Sequence, residues 1–270
     1  MISYQTRFYT ILIFLMFFGL HLKAEDIRSR HIYAGAGYAL SGLQDWGISP
    51  LYYDGNHIFL NVGWQRGSKS ATTIAEINFL NGRITPAINP RLTTAEMKNL
   101  KLNIHLSHYR LAGSIFNTLN LFLGGSALLN SGSYTHNHFI NSSVTIFAMK
   151  SLNLNTRISV PLVINKKDHL MEFHLQSPFA AFIIRPSYAY IKPSGFLDHS
   201  SGLTESIFRS IEMATINRYF NLNSGISLKY NLNNKTAIRI CYRWEYLEHS
   251  GDNPLTSVTH GIVVQTTLNL

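Results

Sequence analysis

The chain has 270 residues, of which 46% are hydrophobic and 14% charged, with a single cysteine and a formal net charge of +9. This composition excludes a disordered, collagen-like or disulfide-rich protein. The charged fraction lies well below the roughly 25% of an ordinary soluble domain, so a soluble enzyme is the weaker expectation. Because Cys241 has no second cysteine to pair with, packing and hydrogen bonds must hold the fold.

The first 24 residues have the build of a secretory signal peptide. Arg7 lies in a short polar start, an apolar run covers residues 8–20, and the small residue Ala24 closes the segment. We therefore predict a signal peptide over residues 1–24, since a membrane anchor needs a longer apolar run. Removal of Arg7 and Lys23 with this segment leaves a net charge of +7 from the +9 of the whole chain. A basic exported protein meets anionic lipid, polysaccharide or small anions, and nucleic acid is not an expected partner.

The remaining chain alternates apolar and polar residues in one segment after another. Residues 100–107 read Leu-Lys-Leu-Asn-Ile-His-Leu-Ser, and the same period of two recurs at 152–160, 220–230, 238–246 and 262–270. This period is typical of a β-strand with different surroundings on its two faces. The polar faces carry mostly Asn, Ser, His and Gly, which favours a transmembrane barrel with lipid outside and a polar lumen inside.

The alternating segments predict about twelve strands in an antiparallel transmembrane β-barrel. The predicted strands are 32–41, 57–66, 71–82, 99–112, 118–130, 141–150, 152–164, 169–176, 179–190, 219–231, 235–248 and 258–270. Short periplasmic turns should alternate with long outer loops. The predicted turns, all short, are 67–70, 113–117, 151, 177–178 and 232–234. The predicted outer loops are 42–56, 83–98, 131–140, 165–168, 191–218 and 249–257, of which only 165–168 is short.

A count of ten strands is the fallback. Pro178 and Pro186 remove ladder donors from the region 169–190, and Pro186 falls inside a predicted strand, where a central strand should not have one. Merging the neighbouring segments there would give strands of more than about twenty residues, roughly twice the length that spans a membrane. The sequence therefore favours twelve.

Over its whole mature length the chain resembles bacterial outer-membrane β-barrel proteins, and the resemblance implies an outer-membrane location in contact with lipid. Aromatic residues near the strand ends, such as Tyr219 and Phe220, fit the girdle at a membrane interface. The chain departs from the family at its last residue, because Leu270 stands where such barrels commonly end in an aromatic residue.

Charged residues are predicted on the lumen face of several strands. The predicted lumen residues are Lys101, Arg157, Glu172, His174, Lys229, Arg239, Arg243 and Glu245. A surplus of cations in a narrow pore would attract anions and set selectivity. The same residues could instead form ion pairs that close a small barrel, with Arg239 or Arg243 pairing with Glu245. The sequence leaves both interpretations open.

Two further motifs carry possible chemistry. His105 and Ser107 share a strand face, and this His-x-Ser pair resembles part of the site of outer-membrane lipid A deacylases, although the flanking residues of that family's motif are absent. Nucleophilic catalysis would also need a third group to orient the histidine. The two histidines His136 and His138 are too few for a zinc site, which needs three or four ligands. We therefore predict neither a metal nor a cofactor.

The longest outer loop, 191–218, contains apolar residues at helical spacing. Leu203, Ile207, Ile211 and Ala214 would form one apolar face, so we predict a short helix near 203–215 that folds into the barrel mouth.

The sequence favours a passive, porin-like channel for small polar or anionic solutes. The first alternative is a closed structural or assembly barrel that docks another envelope protein. The second alternative, and the one enzymatic interpretation of the sequence, is a lipid hydrolase that uses His105 and Ser107.

Overall fold

A computed structural model describes residues 29–88, 96–115, 118–136, 144–164, 167–185, 211–251 and 254–270. These residues form the strands β1 (Ser29–Asp45), β2 (Ser49–Gly67), β3 (Ala71–Pro86), β4 (Met97–Ile115), β5 (Leu119–His136), β6 (Val144–Ile164), β7 (Lys167–Ile184), β8 (Ile211–Thr215), β9 (Tyr219–Asn231), β10 (Thr236–His249) and β11 (Leu255–Asn269). In this part of the chain no helix is long and apolar enough to cross a membrane. The predicted signal peptide at 1–24 lies outside the described residues.

The strands form one closed antiparallel barrel. β1 pairs with β2 on one side and with β11 on the other, so the first and last strands close the sheet. β8 and β9 both pair with β7, β8 along Ala180–Ile184 and β9 along Leu170–Gln176, and so share one position in the barrel. The barrel therefore has ten strand positions. The predicted antiparallel barrel is confirmed, with the fallback count of ten in place of twelve.

Two predicted turns are wrong, which accounts for the difference in strand count. Ser151 lies inside β6, and the pair Ser177–Pro178 lies inside β7. Leu152 faces Ala180 while Asn153 faces Pro178, so Phe179 is an extra residue that forms a bulge. A bulge tolerates the proline that a regular ladder excludes.

β6 and β7 are both longer than a membrane crossing requires. β6 has 21 residues and β7 has 18, whereas about 9–11 tilted residues cross the hydrocarbon core. The surplus residues extend the wall beyond the membrane. Pro186, the other proline that weakened the region, lies outside the described residues.

The ten-strand topology also explains the one short connection among the predicted outer loops. With β6 and β7 each continuous, the connection after Ile164 lies at the barrel end that carries the turns after Gly67, Ile115 and Asn231. This is the short-turn end, which faces the periplasm in barrels of this kind. The longer connections lie at the opposite end, which we call the outer end.

The predicted helix near 203–215 is wrong over Ile211–Thr215, where the structure has β8 hydrogen-bonded to β7. Pairing with β7 satisfies the backbone N–H and C=O groups of β8 and closes the wall beside the outer end of β7. The spacing of apolar residues in the sequence carries no information about this pairing. Residues 203–210 lie outside the described part of the chain.

The predicted alternation of apolar and polar residues gives the barrel wall an apolar outer surface and a polar inner surface. Ile58, Leu154 and Ile262 point outward, with relative exposures of 62%, 61% and 56%. Asn153 and Gln265, on the opposite faces of β6 and β11, are buried in the lumen. An apolar outer surface around a polar interior is the arrangement of a transmembrane barrel.

A charged side chain on the outer face should destabilise the barrel more, the closer it lies to the middle of the membrane. Val264→Arg lies within the apolar outer face of β11 and should lower the free energy of unfolding by about 2–4 kcal/mol. Val163→Arg, at the periplasmic end of β6, should cost about 0–1 kcal/mol, because its side chain reaches the headgroups. Urea unfolding in lipid vesicles measures both variants, and equal costs would contradict the assigned lipid-facing surface.

Candidate functional site

The lumen is filled in three layers, and the first lies at the outer end. We call this apolar cluster the outer plug. Its side chains are 3% exposed or less and come from every strand position of the barrel. They are Leu43, Tyr53, Ile84, Met97, Tyr134, Phe147, Met149, Ala181, Ile183, Ala214, Tyr219, Leu247 and Leu255. The expected place of Tyr219 in the aromatic girdle is therefore wrong, because its side chain points into the lumen and is 1% exposed.

The outer plug packs as a protein core does. The rings of Tyr134 and Phe147 stack with their centroids 5.5 Å apart. Polar pairs lie beside it at the strand ends, where Arg185 donates to Asp45 and His249 Nε2 lies 3.4 Å from Glu212 Oε2. Among the described residues, an apolar cluster therefore occupies the lumen near this end.

The middle layer is built around an ion pair that crosses the lumen. Arg243 donates from Nη1 to Glu76 Oε1 at 2.6 Å and from Nη2 to Glu76 Oε2 at 2.8 Å. Tyr33 Oη and Asn78 Nδ2 each donate to the same carboxylate at 2.9 Å. The Arg243 guanidinium also lies over the Phe59 ring, 5.5 Å from its centroid. This bidentate arrangement fixes the geometry as well as the charge.

Amide side chains extend the middle layer across the barrel. Gln265 donates to Asn61 at 2.5 Å, and Asn61 donates to Asn78 at 2.6 Å. Lys101 Nζ lies 3.3 Å from Glu245 Oε2, a pair that joins opposite walls. Because these groups are withdrawn from bulk water, each depends on its partners to offset desolvation.

The lower layer is organised around Glu172. Arg239 Nη2 lies 2.9 Å from Glu172 Oε2, and Arg157 Nη1 lies 3.6 Å from Glu172 Oε1. Arg157 also donates to Thr72 Oγ1 at 2.9 Å and lies over the Phe122 ring, 4.5 Å from its centroid. One carboxylate thus serves two guanidinium groups.

Below this layer a cavity of about 440 Å³ opens at the short-turn end. Lys69, Arg157, Lys229 and Arg239 line it, with Glu172 as the only carboxylate among the described lining residues. A second, smaller cavity of about 100 Å³ lies in the middle layer beside Glu76 and Arg243. The outer plug separates both cavities from the outer end.

His105 and His174, both predicted on the lumen face, lie in the middle layer and line the smaller cavity. The His174 ring packs directly over Gly225 on β9, where an added Cβ would lie 2.4 Å from His174 Cε1. His105 faces Glu76 across neighbouring strands, and its Nε2 lies 3.0 Å from Ser107 Oγ. The predicted His105–Ser107 contact therefore forms, on the lumen side of the wall.

The structure places all eight predicted lumen residues on the inner face but changes their partners. The sequence offered Glu245 as a possible partner for Arg239 or Arg243, whereas in the structure Glu245 pairs with Lys101. Arg243 and Glu245 are two residues apart on one strand, so carboxylates from other walls approach the arginine more directly.

Sequence reasoning missed Glu76, the main carboxylate of the middle layer. The signal was present, because the outward residues Ile77 and Phe79 place Glu76 and Asn78 on the opposite face of β3. The inward Ile74 interrupts the alternation and weakened this signal.

Within the described ranges, no group of three or more His, Cys, Asp or Glu side chains is placed to hold a metal ion. His138, one of the two loop histidines considered above, lies outside those ranges.

No protein-family model matches the chain, and no curated protein matches it in sequence. Solved structures similar to it include the outer membrane protease OmpT from Escherichia coli, with a TM-score of 0.46 and 8% identity over 93% of this chain and 99% of that one. The translocator domain of the autotransporter NalP from Neisseria meningitidis has a TM-score of 0.39 and 10% identity, over 98% and 95% of the two chains. An outer membrane channel from Pseudomonas putida F1 has a TM-score of 0.37 and 7% identity, over 93% and 98%.

These values carry no conclusion about activity or ligands. The class of the protein follows from its own geometry, a closed antiparallel barrel with apolar side chains outside, polar side chains inside and short turns at one end. The chain forms a barrel of the transmembrane β-barrel class.

Removing Arg243 should destabilise the folded barrel, because it leaves the Glu76 carboxylate buried without its cation. We expect Arg243→Met to lower the free energy of unfolding by about 3 kcal/mol. The double variant Glu76→Gln/Arg243→Met should recover most of this loss, since no unpaired charge remains. Urea unfolding in lipid vesicles measures the cycle, and additive losses would contradict the pairing.

Proposed function

We propose that the protein is a closed structural barrel of the outer membrane rather than an open diffusion pore. The outer plug carries this proposal, because all ten strand positions contribute apolar side chains to it and none exceeds 3% exposure. A wetted pore needs polar lining along its whole length or an opening wide enough for water. The outer plug supplies neither.

The charges of the lumen support the same proposal. Four of the five predicted lining cations, Lys101, Arg157, Arg239 and Arg243, lie within 4.0 Å of a carboxylate. Paired charges fill a narrow lumen, and because the charges of each pair largely cancel, they attract a passing ion only weakly. The narrowness has a geometric reason, because barrels of about eight strands are just filled by side chains whereas those of 16–18 hold an aqueous channel.

The exposed surface of the outer end supports a docking role for the closed barrel. β6 and β7 are longer than a membrane crossing requires, so their outer ends extend beyond it. Trp46 and Tyr52, at the tip of the β1–β2 hairpin, are exposed. Large exposed apolar side chains at such a rim fit contact with another envelope protein.

A channel for small polar or anionic solutes is the second candidate. The cation-rich lower cavity favours it, since a solute could enter there from the periplasm. Passage across the membrane would require the outer plug to rearrange.

We also propose that the barrel has no hydrolase activity. Ser107 is 1% exposed and faces the lumen, away from acyl chains in the membrane. Among the described contacts, His105 has a hydrogen bond only with Ser107, so no carboxylate holds it as a catalytic triad would.

The refolded mature protein is expected to show no steady conductance in a planar bilayer. Tyr134→Ser/Phe147→Ser removes two stacked rings of the outer plug and should raise the frequency of conducting events. Tyr38→Ser is the matched control, because it removes a ring from the lipid-facing surface of the wall.

Steady wild-type conductance would contradict the closed barrel. Anion preference in a salt gradient, reversed by Arg239→Glu/Arg243→Glu, would then establish the channel.

A lipid-hydrolysis assay tests the enzymatic alternative. Wild-type protein and Ser107→Ala should release acyl chains from outer-membrane lipid at the same background rate, because the hydroxyl is closed off from lipid. A rate above background that Ser107→Ala abolishes, with folding unchanged on a heat-modifiability gel, would establish a hydrolase.

A further inference from the structure

The cavity at the short-turn end has an imbalance of charge that the rest of the lumen lacks. Its described lining holds four cationic side chains and one carboxylate, a formal surplus of three positive charges. Lys69 lies exposed at the mouth, where water screens it. The surplus that remains inside belongs to Arg157, Arg239 and Lys229 against Glu172.

The register of the sheet concentrates this surplus. Lys229 on β9 directly faces Arg239 on β10, and both side chains point into the lumen. Like charges directly opposite each other on neighbouring strands are destabilising. Glu172 lies near both but already forms ion pairs with Arg157 and Arg239. Within the described residues, Lys229 forms no ion pair or hydrogen bond of its own.

Arg239 also has an N–H donor without a partner beside this cavity. Arg239 has one ion-pair contact, at 2.9 Å to Glu172, although its guanidinium carries five N–H donors. Arg239 Nε is buried without a hydrogen-bond partner. Thr72 and His31 add further polar groups to the lining.

We propose that this cavity binds the phosphate group of a small soluble solute from the periplasm. Arg157, Arg239 and Lys229 would hold the phosphate oxygens, with Glu172 keeping the two guanidinium groups in position. A dianion matches the inner surplus of two charges, and guanidinium forks suit its oxygens. The volume of about 440 Å³ accommodates a small phosphate monoester.

The position of the cavity inside the barrel favours a soluble phosphate compound over the headgroup of a membrane lipid. The cavity lies inside the lumen and opens at the rim beside Gly67 and Lys69, so the wall separates it from the acyl chains. The outer plug closes the opposite end, which makes the site a blind pocket. This binding goes beyond the proposed closed barrel and does not require conduction.

Calorimetric titration tests the site on the full mature protein in an uncharged detergent that contains no phosphate. Inorganic phosphate and glycerol 3-phosphate should each bind saturably with a Kd of about 1 mM or tighter. Sodium chloride at matched ionic strength should give no saturable signal. Absence of saturable phosphate binding would overturn the proposal.

Two lysine variants make the test specific. Lys229→Gln should weaken phosphate binding by about tenfold, because it removes a charged donor, and it should fold normally since Lys229 has no ion pair to lose. Lys98→Gln, an equal charge change at the exposed outer end of β4, should leave binding unchanged. Equal losses in both variants would show diffuse surface attraction and overturn the site.

A competition experiment identifies the source of the phosphate. Mixed micelles containing an anionic phospholipid should not displace glycerol 3-phosphate, and displacement would overturn the assignment to a soluble solute. Conductance of the same preparations separates this inference from the proposed function. A silent barrel without phosphate binding refutes only the site, whereas a conducting barrel that binds phosphate refutes only the closed barrel.

Discussion

Closure of the backbone hydrogen-bond ladder is the constraint on which the rest of this barrel depends. In the hydrocarbon core no water is available, so each unpaired N–H or C=O costs several kcal/mol. Pairing of β1 with β11, from His31 opposite Asn269 to Asp45 opposite Leu255, removes the two free edges that an open sheet would have. Once the sheet is closed, alternate side chains must face either lipid or lumen.

The closed wall creates a second requirement, since a lumen bounded by ten strands is narrow. Side chains fill most of it, and a charge placed there loses contact with bulk water. The structure meets this cost with cross-lumen pairs, of which Arg243–Glu76 and Lys101–Glu245 are the clearest. Near the outer end apolar side chains predominate, with the Arg185–Asp45 pair beside them, and the interior resembles the core of a soluble protein.

The two ends of the lumen therefore differ in physical character. Among the described residues, an apolar cluster with polar pairs beside it fills the lumen near the outer end, whereas the short-turn end has a polar, cation-rich cavity. This asymmetry suits a barrel that receives a ligand from one side more than one that equilibrates solutes across a membrane. At the outer end Trp46 is also exposed.

The sequence predicted much of the wall and part of the site. The period of two in segments such as 152–160 identified strands and placed Asn153, Asn155 and Arg157 on the lumen face, where the structure has them. It missed Glu76, because the alternation of β3 is interrupted by an inward isoleucine. It also divided β6 and β7, because serine and proline are typical of turns and a one-residue bulge leaves no clear local signal.

By itself, the sequence determined that the chain forms an antiparallel transmembrane barrel and which face of most strands meets lipid, because alternation depends only on residues near each other in the chain. The tertiary structure decided the ten strand positions, the partners of the described lumen charges and the apolar cluster near the outer end. These depend on which side chains meet across the lumen, and the pairs that matter most lie far apart in sequence, such as Lys101 with Glu245.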